Sequence, residues 1–165
     1  AKVVVVITNK AQAGVLNRAD KLGIPTEFIP AQDFTEGRAL EVLHRYQTDF
    51  IALAGFLLRV PDDILHDYPN KIVNIHPALL PKFGGKGMYG SRVHQAVIAS
   101  HEKESGITIH YINERYDEGN TIFQATCPVL PTDTPDTLAI RVHQLEYEYF
   151  PRVIEATILG KNLSI

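Results

Sequence analysis

Short apolar runs alternating with helix-forming segments constrain this chain more than any other feature. It opens on Lys2-Val3-Val4-Val5-Val6-Ile7-Thr8, a continuous β-branched run of the kind that forms a strand covered on both faces of a parallel sheet. Residues 11 to 22 follow with Ala11, Val15, Ala19 and Leu22 at helical spacing, and Gly23 and Pro25 end that helix. Thr26 to Ile29 is a short strand. Asp33 or Thr35 then stands ready to cap a helix carrying Leu40, Leu43 and Tyr46. Phe50-Ile51-Ala52-Leu53-Ala54 is the next strand, Asp62 to Tyr68 a short helix, and Lys71 to Ile75 a further strand. This β-α-β-α-β-α-β order predicts an α/β fold: an open, mostly parallel sheet flanked by helices. Such sheets bind ligands beyond the carboxyl ends of their strands.

The second half changes character. Ile107 to Ile112 and Thr121 to Val129 predict an antiparallel strand pair added to the sheet edge. Thr134-Pro135-Asp136 opens a long C-terminal helix that runs to about Leu159, with Gly160 as its stop. There is no internal repeat and no low-complexity linker. A length of 165 residues suits a single domain with a real core.

Composition excludes several classes of function. The formal net charge is −3 and no long basic run occurs, which gives no support to nucleic-acid binding. Val3 to Ile7 and Phe50 to Leu58, the longest apolar stretches, are too short to span a bilayer, and no signal peptide is visible. The single Cys127 cannot form an internal disulfide and, placed before Pro128 in a strand, is expected in the core. A cytoplasmic protein with no membrane partner is the expectation.

The chemistry concentrates at the end of one strand. Asn74-Ile75-His76-Pro77-Ala78-Leu79-Leu80-Pro81 is followed some way on by Asp117 in Tyr116-Asp117-Glu118-Gly119. An Asn can donate a hydrogen bond to an oxyanion, a His can carry a proton, and an Asp can orient the His and hold it charged. Pro77 restricts His76 to an extended backbone. Asn74 and His76 are two apart, so on a strand they share a face. A lone His is commonly just a satisfied or exposed side chain; the strand-end position and the paired amide favour catalysis here. Asp117 has an ordinary alternative, a turn between two strands, which would also explain Gly119. His110 lies just before that loop.

Phe83-Gly84-Gly85-Lys86-Gly87-Met88-Tyr89-Gly90 fits neither a Walker loop nor a dinucleotide fingerprint, which leaves a flexible surface loop or a lid. His76, His94, His101 and His110 do not form a metal signature, so no metal is expected. No Gly-x-Ser-x-Gly elbow is present.

Taken together, Leu53-Ala54-Gly55-Phe56, Val73 to Lys82, Gly106-Ile107-Thr108-Ile109-His110, Tyr116-Asp117-Glu118-Gly119 and Ile122-Phe123-Gln124-Ala125 resemble, in order and over essentially the whole chain, the phosphoribosylglycinamide formyltransferases among the folate-dependent formyltransferases. The resemblance implies a Rossmann-like formyltransferase fold over residues 1–165. It also implies formyl transfer from 10-formyltetrahydrofolate, a co-substrate, to the amine of glycinamide ribonucleotide in purine synthesis, by a monomer or homodimer. Asn74, His76 and Asp117 match the catalytic residues. Leu57, Leu58, Val60, Asn113, Glu114, Arg115 and Tyr116 match folate contacts, many through backbone. Gly55, Ile75 and Pro77 match the border of the ribonucleotide site, and Glu146 matches a ribose-binding carboxylate. Without the resemblance, Glu146 reads as a solvated helix face.

Two departures stand out. Leu58 occupies a position where many relatives carry Arg, with Arg59 one place later. Relatives also begin with a further strand, a Gly-Ser-rich loop that holds the substrate phosphate at a helix N-terminus, and a helix. This chain begins at the second strand, and we expect it to be a piece of a longer polypeptide. Two other functions are compatible with the same residues: 10-formyltetrahydrofolate hydrolysis, with water as acceptor, and folate or nucleotide binding without turnover. A transferase acting on methionyl-tRNA would need a basic extension that is not seen here.

Overall fold

The computed structural model describes residues 1–114 and 117–161, in two compact units. The first unit comprises residues 1–51 and 58–69, and the second residues 52–57 and 70 onward.

In the first unit, β1 (Val6–Thr8) and β2 (Thr26–Phe28) pair in parallel, joined by α1 (Gly14–Lys21). The β-branched run from Val3 is longer than the strand, because pairing with β2 spans only Val6↔Thr26 to Thr8↔Phe28. Gly23 adopts a φ of +64° directly after α1, the left-handed conformation that lets the chain leave a helix. Two helices stand where the sequence suggested one. α2 (Ala31–Phe34) contains Asp33, and α3 (Arg38–Arg45) starts after Gly37, whose φ of +83° breaks the path between them. Asp33 therefore caps nothing by side chain and instead lies 3.7 Å from the Arg38 guanidinium. α3 buries Ala39, Val42 and Leu43, an i, i+3, i+4 stripe, and α4 is Asp62–Asp67.

A four-stranded sheet in the order β3-β4-β5-β6, all but Ile51 within the second unit, comprises β3 (Ile51–Leu53), β4 (Ile72–His76), β5 (Glu104–Tyr111) and β6 (Thr121–Pro128). β5 runs antiparallel to both β4 and β6. α5 (Ser91–Ala99), which the sequence pattern did not suggest, and α6 (Pro135–Leu159) cover one face. Ile75, Ile107, Ile109 and Cys127 from the sheet, Val97 from α5, and Leu138, Val142 and Val153 from α6 form the core. Each fully buried aliphatic side chain of this kind stabilises the fold by about 1.5–3 kcal/mol.

α6 starts as its sequence dictates. Thr134 and Thr137 form a reciprocal capping box, Pro135 occupies the first turn, and Gly160 ends the helix in the left-handed conformation. Asp133 fastens this start to β6. It receives two hydrogen bonds from Arg141 at 2.8 and 3.0 Å and the Leu130 N–H at 2.7 Å, while Arg141 also donates to the Pro128 carbonyl. The Arg141 guanidinium holds the Asp133 carboxyl far below the usual carboxylate range.

Candidate active site

Alternation along β4 and β5 decides what faces what. Asn74 pairs with His110 and His76 with Thr108, and Thr108 pairs onward with Gln124 of β6. Directly paired residues of antiparallel strands share a face. One face of the sheet therefore carries Asn74, His76, Thr108, His110 and Gln124, while Ile75, Ile107 and Ile109 point into the core. A bulge between Ile109 and His110 shifts the β5–β6 register just where the polar residues cluster.

Thr108 fixes the chain leaving β4. Its hydroxyl donates to the Ala78 carbonyl at 2.7 Å and accepts from the Leu80 N–H at 2.9 Å and the Gln124 amide at 2.8 Å. The Gln124 amide also reaches the Leu80 carbonyl at 3.0 Å. A buried hydroxyl with one donor and two acceptor positions is thereby fully used. The segment then turns back so that the His76 Nε2–H donates to the Phe83 carbonyl at 2.8 Å.

Asp117 sits between two imidazoles. Its Oδ2 lies 3.8 Å from His76 Nδ1 and its Oδ1 3.6 Å from His110 Nε2, too far for hydrogen bonds but close for charge. The Gly85 N–H donates to its Oδ2 at 2.8 Å. His76 is 4% exposed and His110 fully buried. The Asn74 amide nitrogen lies 3.3 Å from His110 Nε2, and His110 Nδ1 lies 2.9 Å from the Tyr111 carbonyl oxygen.

Close backbone approach explains the glycines of this wall. A Cβ on Gly119 would lie 1.7 Å from the Tyr111 carbonyl oxygen, the same oxygen that His110 uses. The Tyr111 N–H in turn donates to the Asn120 carbonyl, which closes the base of the loop bearing Asp117. Gly119 is therefore required by packing, at the base of a turn that carries Asp117. A Cβ on Gly84 would meet the Leu80 side chain at 2.5 Å and Asp117 Cβ at 3.3 Å.

An amide, two imidazoles and a carboxylate thus line one wall. Comparisons with known proteins identify the family. Residues 1–154 match the formyl transferase family model. The chain belongs to the formyl transferase family. It is 41% identical to the chloroplastic phosphoribosylglycinamide formyltransferase of Arabidopsis thaliana over 93% of its own length and 55% of the relative's. It is 34% identical to the phosphoribosylglycinamide formyltransferase of Bacillus subtilis over 98% of its length and 83% of that relative's. The phosphoribosylglycinamide formyltransferase of Anaplasma phagocytophilum superposes with a TM-score of 0.87 at 32% identity, covering 95% of this chain and 74% of that one. The chain spans about half the length of the chloroplastic relatives it matches.

The other residues expected at a formyltransferase site fall into three groups. Gly55, with a φ of +67°, and the exposed Leu57 belong to the second unit, as do Pro77 and the exposed loop residues Asn113 and Glu114. Leu58 and the buried Val60 belong to the first. Arg115 and Tyr116 lie outside the described residues. The Ile75 side chain is in the core, so only its backbone is available to a substrate. Glu146 lies half-buried on α6, where burial raises its pKa against the opposing effect of His143; among the described residues no hydrogen bond ties it to Asn74, His76 or Asp117.

Two buried histidines stand out beyond the residues the sequence assigned to the site. His110 appears there only as a strand-borne histidine before the loop, and the signal for its role is its cross-strand register with Asn74. His94 lies on α5, 3% exposed, with no hydrogen-bond partner for Nδ1 among the described residues. Burial lowers its pKa, helped by the charges of His143 and His76. Among the described residues no cluster of His, Cys, Asp and Glu is arranged to hold a metal ion, and no helix is long and apolar enough to cross a membrane.

Proposed function

We propose that this chain transfers the formyl group of 10-formyltetrahydrofolate to the amine of glycinamide ribonucleotide. The observation that carries the reading is the convergence of Asn74, His76 and Asp117 on one wall in a member of the formyl transferase family. The names of the relatives supply the acceptor.

In this reading the acceptor amine attacks the formyl carbon and gives a tetrahedral oxyanion. The Asn74 amide and a protonated His76 donate hydrogen bonds to that oxygen. Asp117, with Oδ2 3.8 Å from His76 Nδ1, is the carboxylate placed to orient that ring. Collapse breaks the bond to N10 of the folate, which takes up a proton as the amine loses one. No metal is needed for these steps.

The folate is proposed to contact Leu57, Asn113 and Glu114, largely through main-chain groups. The ribonucleotide is proposed to lie along Gly55, the Ile75 backbone and Pro77, with Glu146 toward its ribose. The decisive experiment incubates the chain with 10-formyltetrahydrofolate, with and without glycinamide ribonucleotide, beside a His76→Ala control. Tetrahydrofolate release that requires the ribonucleotide and vanishes in the control supports transfer. Release without the acceptor would replace this reading with hydrolysis, and folate binding without release would replace it with a binding role.

A further inference from the structure

We propose that His110 is a positioning residue: held as the Nδ1–H tautomer by the Tyr111 carbonyl, it takes one amide proton of Asn74 on Nε2 and leaves the other free for the substrate. The inference rests on the formyl-transfer reading for its catalytic consequence, but its chemical content is independent of it.

A carbonyl oxygen can only accept, so the 2.9 Å contact with Tyr111 places a proton on His110 Nδ1. In the neutral ring Nε2 then has a lone pair and no proton. Its neighbour at 3.3 Å must be a donor, which assigns that end of the Asn74 side chain as the NH₂ group. Of the two amide protons one is spent on His110. An Asn without this partner rotates freely about its last bond and can present its oxygen, which would repel an oxyanion.

Neutrality is what makes the device work, and the surroundings enforce it. His110 is fully buried, and burial holds its imidazole below the usual histidine range. The Tyr111 carbonyl and the Asp117 charge oppose this, while His76 adds to it. Were His110 an imidazolium, Nε2–H would compete for Asp117 Oδ1 at 3.6 Å and would turn the Asn74 oxygen inward. The two histidines thus divide the work. His76 faces Asp117 and the substrate side, and His110 stays neutral and sets the amide.

The first test needs no activity. Long-range ¹H–¹⁵N spectra of the full chain labelled at histidine, assigned by the resonances lost in His110→Gln, should show His110 with a protonated Nδ1 and an unprotonated Nε2 from about pH 6.5 to 8. An Nε2–H tautomer or an imidazolium in that range would overturn the proposal, whatever the enzyme does. The second test compares His110→Leu with His110→Gln, whose amide oxygen can accept near the Nε2 position. The Leu variant should lose about 10²-fold in kcat with KM for folate unchanged, and Gln should recover most of it. A folded Leu variant with wild-type kcat would sink the role. If the wild-type chain transfers no formyl group, the functional reading fails and the spectra still decide the tautomer.

Discussion

The Phe83 carbonyl accepts the Nε2 proton of His76 at 2.8 Å, so the histidine's outer nitrogen is occupied by the chain's own backbone. Phe83 has a φ of +57°, a left-handed conformation that costs a non-glycine residue roughly 1–2 kcal/mol. The next two residues are glycines, and the second donates to Asp117. The segment Phe83 to Gly85 therefore ties the histidine and the carboxylate to one stretch of backbone. A substrate that uses His76 Nε2 must displace that carbonyl.

Gly84→Ala tests this tie. The added methyl presses on the Leu80 side chain at 2.5 Å and on Asp117 Cβ at 3.3 Å. Leu80 can yield by changing rotamer, whereas Asp117 must shift. Formyl transfer should fall, by less than the roughly 10²-fold that a full ångström of misplacement costs, while the melting temperature changes little, because Asp117 need give only by a few tenths of an ångström. Unchanged kcat would show that the segment does not position Asp117.

Asn74→Ala removes the proposed oxyanion donor without opening the core, since Asn74 is only half-buried. The expected loss in kcat is about 10²–10³-fold. Steady-state kinetics should show little change in KM. A rise in KM with kcat preserved would instead mean that Asn74 only binds.

Gly119→Ala should be more damaging to structure than Gly84→Ala. Its clash, at 1.7 Å, is with the Tyr111 carbonyl, which is backbone and cannot step aside. The loop bearing Asp117 must open from its base, and the His110 hydrogen bond to the same carbonyl goes with it. Thermal unfolding should drop by several degrees and activity should be lost. A variant with native melting and activity would contradict the close approach.

Stability should fall on the acid side of neutrality. His94 and His110 both have pKa values below 6.5 when folded, lowered first by burial. Between those values and 6.5 the unfolded chain binds more protons than the folded one, so stability rises with pH. It is complete above about pH 6.5 and is lost as the pH drops toward the folded values. Urea midpoints measured from pH 7.5 down to 5 should decrease, and His94→Gln should flatten part of that slope. A midpoint independent of pH over this window would show that neither histidine is held neutral.

The sequence by itself determined most of the element order and the face shared by Asn74 and His76. These follow from local rules: apolar runs of strand length, a Thr-Pro helix start, a glycine stop and the two-residue strand period. It also placed Cys127 in the core, where it is 6% exposed. Gly37 escaped that reading, because a single left-handed residue splits a helix without altering its apolar spacing. α5 escaped it too, hidden behind a glycine-rich stretch. Only the tertiary structure decided that Asp117 reaches His76 and that His110 stands opposite Asn74. Those contacts depend on cross-strand register and on a loop closed by Gly119 against Tyr111. Register is set by pairing between segments far apart in the chain, and no local pattern around Asn74 or His110 records it.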